Sequence, residues 1–224
     1  MKRIEADELM DADDLDEDTY VAVVRDLGRV NTVTLARRPT LAFVARAVGE
    51  RSSFSLLDVG FGDGDMLRAI GHWARRAGKT AKLVGVDLNP RSLAAARSHD
   101  AGGIDYRIGD YQDFGDEPWD LIVSSLVAHH MTREQLLSFL RFMEAHARLG
   151  WFVNDLHRHP LPYAGFPLLA GLARWHPIVR HDGRVSIGRS FTRADWDELL
   201  AEAGVTEAQV RRIFPFRLCV ERHR

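Results

Sequence analysis

Three glycines and an aspartate in the segment LLDVGFGDGDML, residues 56–67, have types and spacing that suit a ligand-binding turn. Asp58 follows a run of apolar residues, and Gly60, Gly62 and Gly64 come after it at every second position. Glycines at such a place permit a sharp turn from strand to helix and let the backbone approach a ligand closely. The spacing differs from the G-x-G-x-x-G of dinucleotide sites, and no Lys follows to make a P-loop. Because the neighbouring acids would repel a pyrophosphate, the turn predicts a ligand whose nearby groups are cationic or hydroxylic.

Polar side chains also follow the ends of several later apolar segments. They are Asp87, Asp110, Ser125, the pair His129 and His130, and His157. In open α/β sheets, ligands bind outside the carboxyl ends of the strands. If these segments are parallel strands, their polar side chains open onto the same edge of one sheet.

Strand and helix patterns alternate along most of the chain, which predicts a parallel sheet covered by helices on both faces. The predicted strands cover 55–59, 82–88, 105–110, 119–125 and 150–156. The predicted helices cover 17–29, 35–49, 65–78, 90–99, 132–148 and 191–204. Two final strands, in 205–214 and 215–222, have no helix between them and are therefore predicted to be antiparallel. The sheet should be mostly parallel, with one reversed strand near the C-terminus.

The segment DVGFGDG, residues 58–64, resembles the glycine-rich motif of class I S-adenosylmethionine-dependent methyltransferases. Asp87 resembles the acid that binds both ribose hydroxyls in that family, and Asp110 resembles the acid beside the adenine. WDLIVSSLVAHHM, residues 119–131, resembles the fourth-strand motif, whose loop passes the methionine part and the substrate. The resemblance covers roughly residues 50–222. It implies a Rossmann-like sheet of seven strands in the order 3-2-1-4-5-7-6, with strand 7 antiparallel.

The resemblance implies S-adenosylmethionine as the cofactor. Its ammonium, sulfonium and ribose hydroxyls suit an acidic loop, and it carries no phosphate. Asp58 is expected near the methionine ammonium, although it can instead bind loop amides as a turn residue. The cofactor-binding residues expected on this basis are Asp58, Gly60, Gly62, Gly64, Asp87, Leu88, Asp110, Tyr111 and Ser125.

HHMT and NDLHRHPL, the latter at 154–161, resemble a bacterial subgroup of small-molecule methyltransferases, some of which accompany polyketide-type genes. This implies O-methylation of an aromatic or polyketide-like metabolite, with C- or N-methylation as alternatives. Two other classes stay open: a non-catalytic module that binds S-adenosylmethionine, and a nucleotide-dependent oxidoreductase.

A hydroxyl acceptor often needs a base to take its proton, and a histidine is suited to that role near neutral pH. The candidate bases are His129, His130 and His157, each of which can instead serve to orient a neighbour. A metal site that includes Asp155 is a third possibility. No metal is predicted, because neither a helical H-x-x-x-H nor a cysteine pair is present.

Two regions outside the sheet are expected to contact the acceptor. Residues 1–50 are predicted to form an acidic lead-in, solvated over 5–18, followed by a helical cap. Residues 51–224 form the methyltransferase domain, with a lid-like insertion at about 157–190. Within it, residues 160–180 carry three prolines and are either a lid or a helix packed on the sheet. The candidate substrate contacts are Tyr20, Asn31, His130, Tyr163 and Phe166.

The composition of the 224 residues, 46% hydrophobic and 28% charged, is typical of a soluble single-domain protein. A net charge of −2 and the lack of a basic run argue against nucleic acid as a partner. One cysteine, Cys219, suits a reducing cytosol, and we expect it to be a buried strand residue. Neither a signal peptide nor a membrane span is predicted. We therefore expect a cytoplasmic monomer or homodimer.

Overall fold

A computed structural model of the chain describes residues 1–12, 14–98 and 102–224. Asp13, in the acidic segment, and His99, at the predicted end of a helix, lie outside the described residues. Within them, seven strands form one sheet. The strands are β1 (Ser53–Val59), β2 (Thr80–Asp87), β3 (Ile104–Ile108), β4 (Trp119–Ser125), β5 (Ala147–Leu156), β6 (Gln209–Ile213) and β7 (Arg217–His223).

The strand order is β3-β2-β1-β4-β5-β7-β6. Strands β1 to β5 pair in parallel, and β7 is antiparallel to both β5 and β6. The predicted order, with strand 7 reversed, is confirmed. Because β7 runs the other way, its first residue, Arg217, faces Leu156 at the carboxyl end of β5. The start of β7 therefore joins the ends of the parallel strands at one edge, which we call the carboxyl edge.

Helices cover both faces of the sheet and the carboxyl edge. They are α1 (Glu17–Val33), α2 (Arg37–Val48), α3 (Asp65–Arg76), α4 (Pro90–Ser98), α5 (Arg133–His146), α6 (Pro160–Leu172), α7 (Pro177–Arg189) and α8 (Arg193–Ala203). Local sequence explains several of their ends. Thr132 with Gln135, and Thr192 with Asp195, form capping boxes at the starts of α5 and α8, and Gly204 ends α8 with a φ of 79°. None of the helices in the described ranges is long and apolar enough to cross a membrane.

Two apolar clusters, one on each side of the sheet, form the core. One contains the buried Trp119, Trp151 and Trp196 and packs the sheet against α5 and α8. The other packs the sheet against α2, α3 and α4, with the rings of Phe43 and Phe152 stacked at 4.9 Å. The central strands are buried on both faces, as expected for parallel strands between two helical layers.

The proline-rich stretch after β5 forms two helices, α6 and α7, which pack on each other as a hairpin. Each begins with a proline in its first turn, and the histidine before it, His159 or His176, accepts a backbone N–H through its ring nitrogen. The hairpin packs on α1 and on two short 3₁₀ helices, Leu9–Asp11 and Ala128–His130. It therefore covers the carboxyl edge, which is the position of a lid.

The N-terminal segment is docked around Ile4 and Glu8–Met10, so the expectation that 5–18 would be solvated is wrong there, whereas most of the acidic side chains in that range are exposed. The amide of Ile4 donates to the carbonyl oxygen of Gly188 at 3.2 Å. The amides of Leu9 and Met10 each donate to the Asp182 carboxylate at 2.9 Å. Composition averages over a segment, whereas docking depends on a few specific contacts with distant residues. We call residues 3–11 the N-terminal strap.

The packing of α6 on α7 depends on a glycine. A Cβ at Gly183 would lie 2.0 Å from the ring of Phe166, whereas one at Gly171 would meet only Arg180, at 3.8 Å. We expect Gly183→Ala to lower the free energy of unfolding by about 1–3 kcal/mol through overpacking. Gly171→Ala is the matched control and should stay within about 0.5 kcal/mol of the wild type. Urea unfolding measures both, and equal effects would contradict the role of Gly183.

Candidate cofactor and acceptor site

A cavity of about 1080 Å³ runs along the carboxyl edge, beneath α1 and the α6–α7 hairpin. This is at the upper end of ligand-pocket volumes, as expected for a site that holds two ligands. Over β1, β2 and β3 its wall is formed by the glycine loop and the acids that end the strands; we call this the cofactor end. Over β4, β5 and β7 its wall is formed by histidines and by the apolar faces of α1, α6 and α7; we call this the acceptor end.

The glycine loop is shaped by positive φ angles and by close packing. Gly60, with a φ of 78°, donates its amide to the Val86 carbonyl at 2.7 Å, and a Cβ there would lie 2.3 Å from Val127. Gly62, with a φ of 55°, lines the cavity. Gly64, with a φ of 75°, precedes α3 and does not line the cavity; a Cβ there would meet the Tyr106 ring. The first two glycines therefore form the cavity wall, and the third starts the helix.

Asp58 lies on the cavity wall with its carboxyl group almost fully buried. Its Oδ1 atom has no hydrogen-bond partner among the residues that the structure describes. Burial, together with the charge of Asp87, raises the pKa of this carboxyl to about 7. A cation placed beside Asp58 would give Oδ1 a partner and would stabilise the charged form of the buried carboxylate. The environment therefore fits an ammonium group.

Asp87, at the end of β2, accepts two backbone hydrogen bonds, from Gly62 to Oδ2 and from Asn89 to Oδ1, both at 2.8 Å. Each carboxylate oxygen can accept more than one donor, so both remain able to bind hydroxyls from the cavity. Leu88, the next residue, is 72% exposed and lines the same cavity. This pairing of a carboxylate with an exposed apolar side chain suits a ribose beside a flat base.

The other predicted cofactor residues also line the cavity. Asp110 accepts the amide of Gln112 at 2.9 Å and so caps the short helix Tyr111–Phe114. The ring of Tyr111 packs on Phe139 and Phe142 with centroid distances of 4.9 Å. Ser125 lies with its hydroxyl 3.3 Å from that of Thr40, which joins the end of β4 to α2. Tyr20, expected at the acceptor, lies instead at the cofactor end, where its ring is 5.5 Å from the Arg91 guanidinium.

His129, the first of the candidate bases, is buried against Asp155. Oδ2 of Asp155 accepts the His129 amide at 2.8 Å, and Oδ1 lies 2.7 Å from Nδ1 of its ring. Nε2 of the ring is 3.7 Å from Oε1 of Glu8, a strap residue that is only 6% exposed. Burial disfavours the charged ring, but these two carboxylates outweigh it and raise the pKa of His129 to about 9. At neutral pH the ring is therefore protonated and cannot accept another proton.

His130 has the opposite electrostatic environment. Its side chain is 33% exposed and lines the cavity, with Nε2 3.7 Å from Glu8 and Nδ1 3.7 Å from Asp11. Burial and the positive charge of His129 lower the pKa of His130 to about 4, so its ring is neutral. Glu8, His129 and His130 also place ligand atoms within 4.8 Å of one another, which makes them the set among the described residues that can jointly hold a metal ion.

Two predicted site residues lie outside the cavity, in addition to Gly64. His157 has its ring 5.4 Å from that of His159, and neither of these histidines lines the cavity. Tyr163 packs its ring on the guanidinium of Arg184 at 4.5 Å, away from the cavity. Asn31 and Phe166, by contrast, line the acceptor end as expected.

Glu8 and Arg217 are among the cavity residues that the sequence reasoning missed. The only local signal for Glu8 was the apolar pair Leu9 and Met10 that follows it in an otherwise acidic segment. Arg217 begins the alternating run RLCVE, in which it shares a strand face with Cys219. Cys219 is buried, as predicted, so a basic residue on the same face was the available signal.

The ion pairs of His129 and Glu8 predict a pH dependence of stability. The pKa of His129 is higher in the folded chain than in the unfolded chain. The contribution of His129 to the free energy of unfolding is therefore full below about pH 6.5 and is lost as the pH rises toward 9. Over that range, the difference in free energy of unfolding between the wild type and His129→Gln should shrink by at most about 1.4 kcal/mol per pH unit. The pKa of Glu8 is lowered to about 2, so its contribution is lost only as pH falls below about 4.5.

Urea unfolding at pH 6, 8 and 9.5 measures this difference. The control is His72→Gln, because His72 is exposed on α3 and lies outside the cavity. A constant difference for His129→Gln would contradict the charged state assigned to His129.

Comparison with known proteins places this geometry in a family. Residues 56–150 match a family described as a methyltransferase domain. A search of curated proteins gave no match to the chain.

Several solved structures share the fold. Plantazolicin methyltransferase BpumL in complex with SAH is 15% identical, with 93% of this chain and 90% of that chain covered and a TM-score of 0.68. Magnesium protoporphyrin IX methyltransferase ChlM from Synechocystis PCC 6803, with bound SAH, is 15% identical over 96% and 91%, with a TM-score of 0.60. PigF with SAH is 20% identical over 88% and 56%, with a TM-score of 0.60.

At these identities the structural likeness establishes the fold, and the family match adds the activity. The acidic glycine loop, the unpartnered Asp58 oxygen and the free accepting positions of Asp87 fit the cofactor of this family. The chain therefore carries a methyltransferase domain over residues 56–150, and the site fits S-adenosylmethionine as the cofactor.

Proposed function

We propose that the chain methylates a hydroxyl oxygen of an apolar small molecule, such as an aromatic or polyketide-like metabolite. The observation that carries this proposal is the acceptor end of the cavity, where an apolar wall meets a neutral histidine. The apolar wall comes from α1, α6 and α7 and from the loop after β4, and it includes Val24, Leu27, Val30, Leu126, Phe166, Leu169 and Ile187. Such a wall favours apolar molecules, because the transfer of apolar surface from water into an apolar pocket is favourable.

The residues at the cofactor end would hold S-adenosylmethionine in a fixed orientation. Asp58 suits its ammonium and Asp87 its ribose hydroxyls, while Leu88 and Tyr111 offer apolar surface for the adenine. When bound, the cofactor supplies a methyl group on a sulfonium, which is a good leaving group. The protein's part is therefore mainly to position the acceptor and to exclude water.

The acceptor end offers the means for both tasks. The α6–α7 hairpin and the N-terminal strap cover the cavity, so a bound acceptor is shielded from solvent. His130 presents a neutral imidazole to the cavity and is our candidate to take the hydroxyl proton. His129 is excluded from this role by its charge, and His157 by its position.

Rival functions predict different ligands or products. Similar structures contain azole desmethylPZN analogs bound to plantazolicin methyltransferase, which keeps an N-methyl acceptor or a peptide-derived acceptor open. A C-methyltransferase would use the same cavity. A binding module would hold the cofactor without turnover, and an oxidoreductase would bind NADH, which the acids of the glycine loop disfavour. The net charge of −2 favours a small acceptor over nucleic acid.

Cofactor binding should release protons. At pH 6.5 a carboxyl group with a pKa of about 7 is mostly protonated, and a bound ammonium would ionise Asp58. We expect release of about three quarters of a proton when S-adenosylhomocysteine binds to the wild type at this pH. Asp58→Asn should show no release and weaker binding, whereas Asp113→Asn, exposed and outside the cavity, should match the wild type. Calorimetry in buffers of different ionisation enthalpy measures the release, and its absence in the wild type would contradict the role of Asp58.

The acceptor atom and the base can be tested together with labelled S-adenosylmethionine, 1-naphthol and 1-naphthylamine. We expect the methyl ether as the product, and we expect His130→Gln to lower kcat roughly 100-fold, since a positioned base contributes about that much. At saturating cofactor, the wild-type rate should not fall between pH 8 and 6, because the pKa of His130 is about 4. Activity of His72→Gln should match the wild type.

Methylation of nitrogen or carbon would overturn the O-methyl proposal. Tight binding of S-adenosylhomocysteine without turnover on any acceptor would favour the binding module. If the rate falls as the pH decreases, with a midpoint near pH 7, a group other than His130 takes the hydroxyl proton of the acceptor.

A further inference from the structure

We propose that Arg217 binds a carboxylate or another anionic group of the acceptor, so that the substrate is an apolar acid. This inference rests on the proposed function in one respect, namely that the acceptor occupies the end of the cavity over β5 and β7. It adds a chemical class to the acceptor and a subsite that holds it.

Arg217 is a buried arginine on the cavity wall. It is 3% exposed, at the start of β7. Its guanidinium donates to Oδ1 of Asn154 and to Oγ1 of Thr34, both at 3.3 Å, and both acceptors are neutral. Nε is buried and has no hydrogen-bond partner within the described part of the chain. A guanidinium has five N–H donors, so most of its capacity is unused.

The charge of Arg217 has no counter-ion in the part of the chain that the structure describes. Of the two arginines that line the cavity there, Arg37 pairs with Asp65 at 2.7 Å, whereas Arg217 pairs with no carboxylate. Asp155, on the neighbouring strand, acts on Arg217 electrostatically but forms no ion pair with it among the described residues, and both of its oxygens contact His129. Burying an unpaired charge is unfavourable, so an anion in the cavity would relieve a cost that the protein already bears.

The position of Arg217 favours the acceptor over the cofactor as the source of the anion. In the sheet order, β7 lies three strands from β1, which ends in the glycine loop. At about 4.8 Å per strand, this is roughly 14 Å from the strand of Asp58. The cofactor also carries a carboxylate, but its binding residues gather over β1, β2 and β3. The anion at Arg217 would therefore anchor the acceptor at a distance from the atom that receives the methyl group.

Apolar residues form part of the surroundings of Arg217. Pro215, Phe216 and Leu156 line the same part of the cavity. In such surroundings an ion pair is screened less than in water, and a carboxylate can accept two parallel hydrogen bonds from one guanidinium. The site thus suits a molecule with an acidic group at one end and an apolar body that extends toward His130.

A matched pair of ligands tests the inference by binding alone, without turnover. On the full chain loaded with S-adenosylhomocysteine, NMR titration would compare 2-naphthoate with 2-naphthamide. We expect the wild type to bind the acid at least tenfold more tightly. Arg217→Met keeps the length of the side chain and removes its charge, so it should abolish this preference and leave the affinity for the amide within twofold. Arg222→Met, on the same strand but outside the cavity, should keep the preference.

A wild type without preference, or a preference that survives in Arg217→Met, would overturn the proposal. Should the variant weaken S-adenosylhomocysteine but not its decarboxylated analogue, Arg217 would belong to the cofactor carboxylate. Equal losses for acid and amide, with a lower Tm, would assign Arg217 a structural role only.

A measurement on the wild type alone covers the case in which Arg217→Met does not fold. The pKa of carboxyl-labelled 2-naphthoic acid, followed by ¹³C NMR, should fall by at least one unit on binding. An unchanged or raised pKa would overturn the proposal. Since neither experiment depends on methyl transfer, failure of O-methylation would leave both results interpretable.

Discussion

The buried contact between Asp155 and His129 organises the acceptor end of this methyltransferase. Asp155 accepts both the amide and the ring of His129, and so holds the loop after β4 against the end of β5. The same contact keeps His129 positively charged. Burial, together with that charge, keeps the neighbouring His130 neutral, and the same charge attracts Glu8 from the N-terminal strap. This contact thereby influences which histidine can take a proton, and it acts together with the Asp182 and Gly188 contacts that hold the strap over the cavity.

The order of the strands separates the acids at the cofactor end of the cavity from the buried arginine at the acceptor end. Carboxylates gather where β1, β2 and β3 end, in keeping with a cofactor that carries an ammonium and a sulfonium. Over β5 and β7 lies the guanidinium of Arg217, which forms no ion pair with a carboxylate within the described residues. The reversed direction of β7 makes this separation possible, because it brings the first residue of a strand to the edge at which the others finish.

Much of the fold and of the cofactor end could be predicted because the signals are local. The glycine loop, Asp87 and Asp110 lie directly after apolar strands, and the capping boxes at Thr132 and Thr192 mark the starts of helices. The acceptor end could not be predicted to the same depth. Whether His129 is charged depends on Asp155 and Glu8, which are far from it in the chain. Tyr163 was expected to contact the substrate because it is aromatic and lies in the lid, but its direction is set by packing on Arg184.

The docking of the N-terminal strap affects the order in which the molecule can be completed. Its partners are synthesised more than a hundred residues later. They are Asp182, Ser186 and Gly188 on α7 and the histidines after β4. A ribosome therefore releases the strap first, yet the strap reaches its place last, after the lid has emerged. Until then its acidic composition keeps it in water. A purification tag joined to Met1 would lie beside these contacts, so a tag at the C-terminus would leave the closure of the cavity undisturbed.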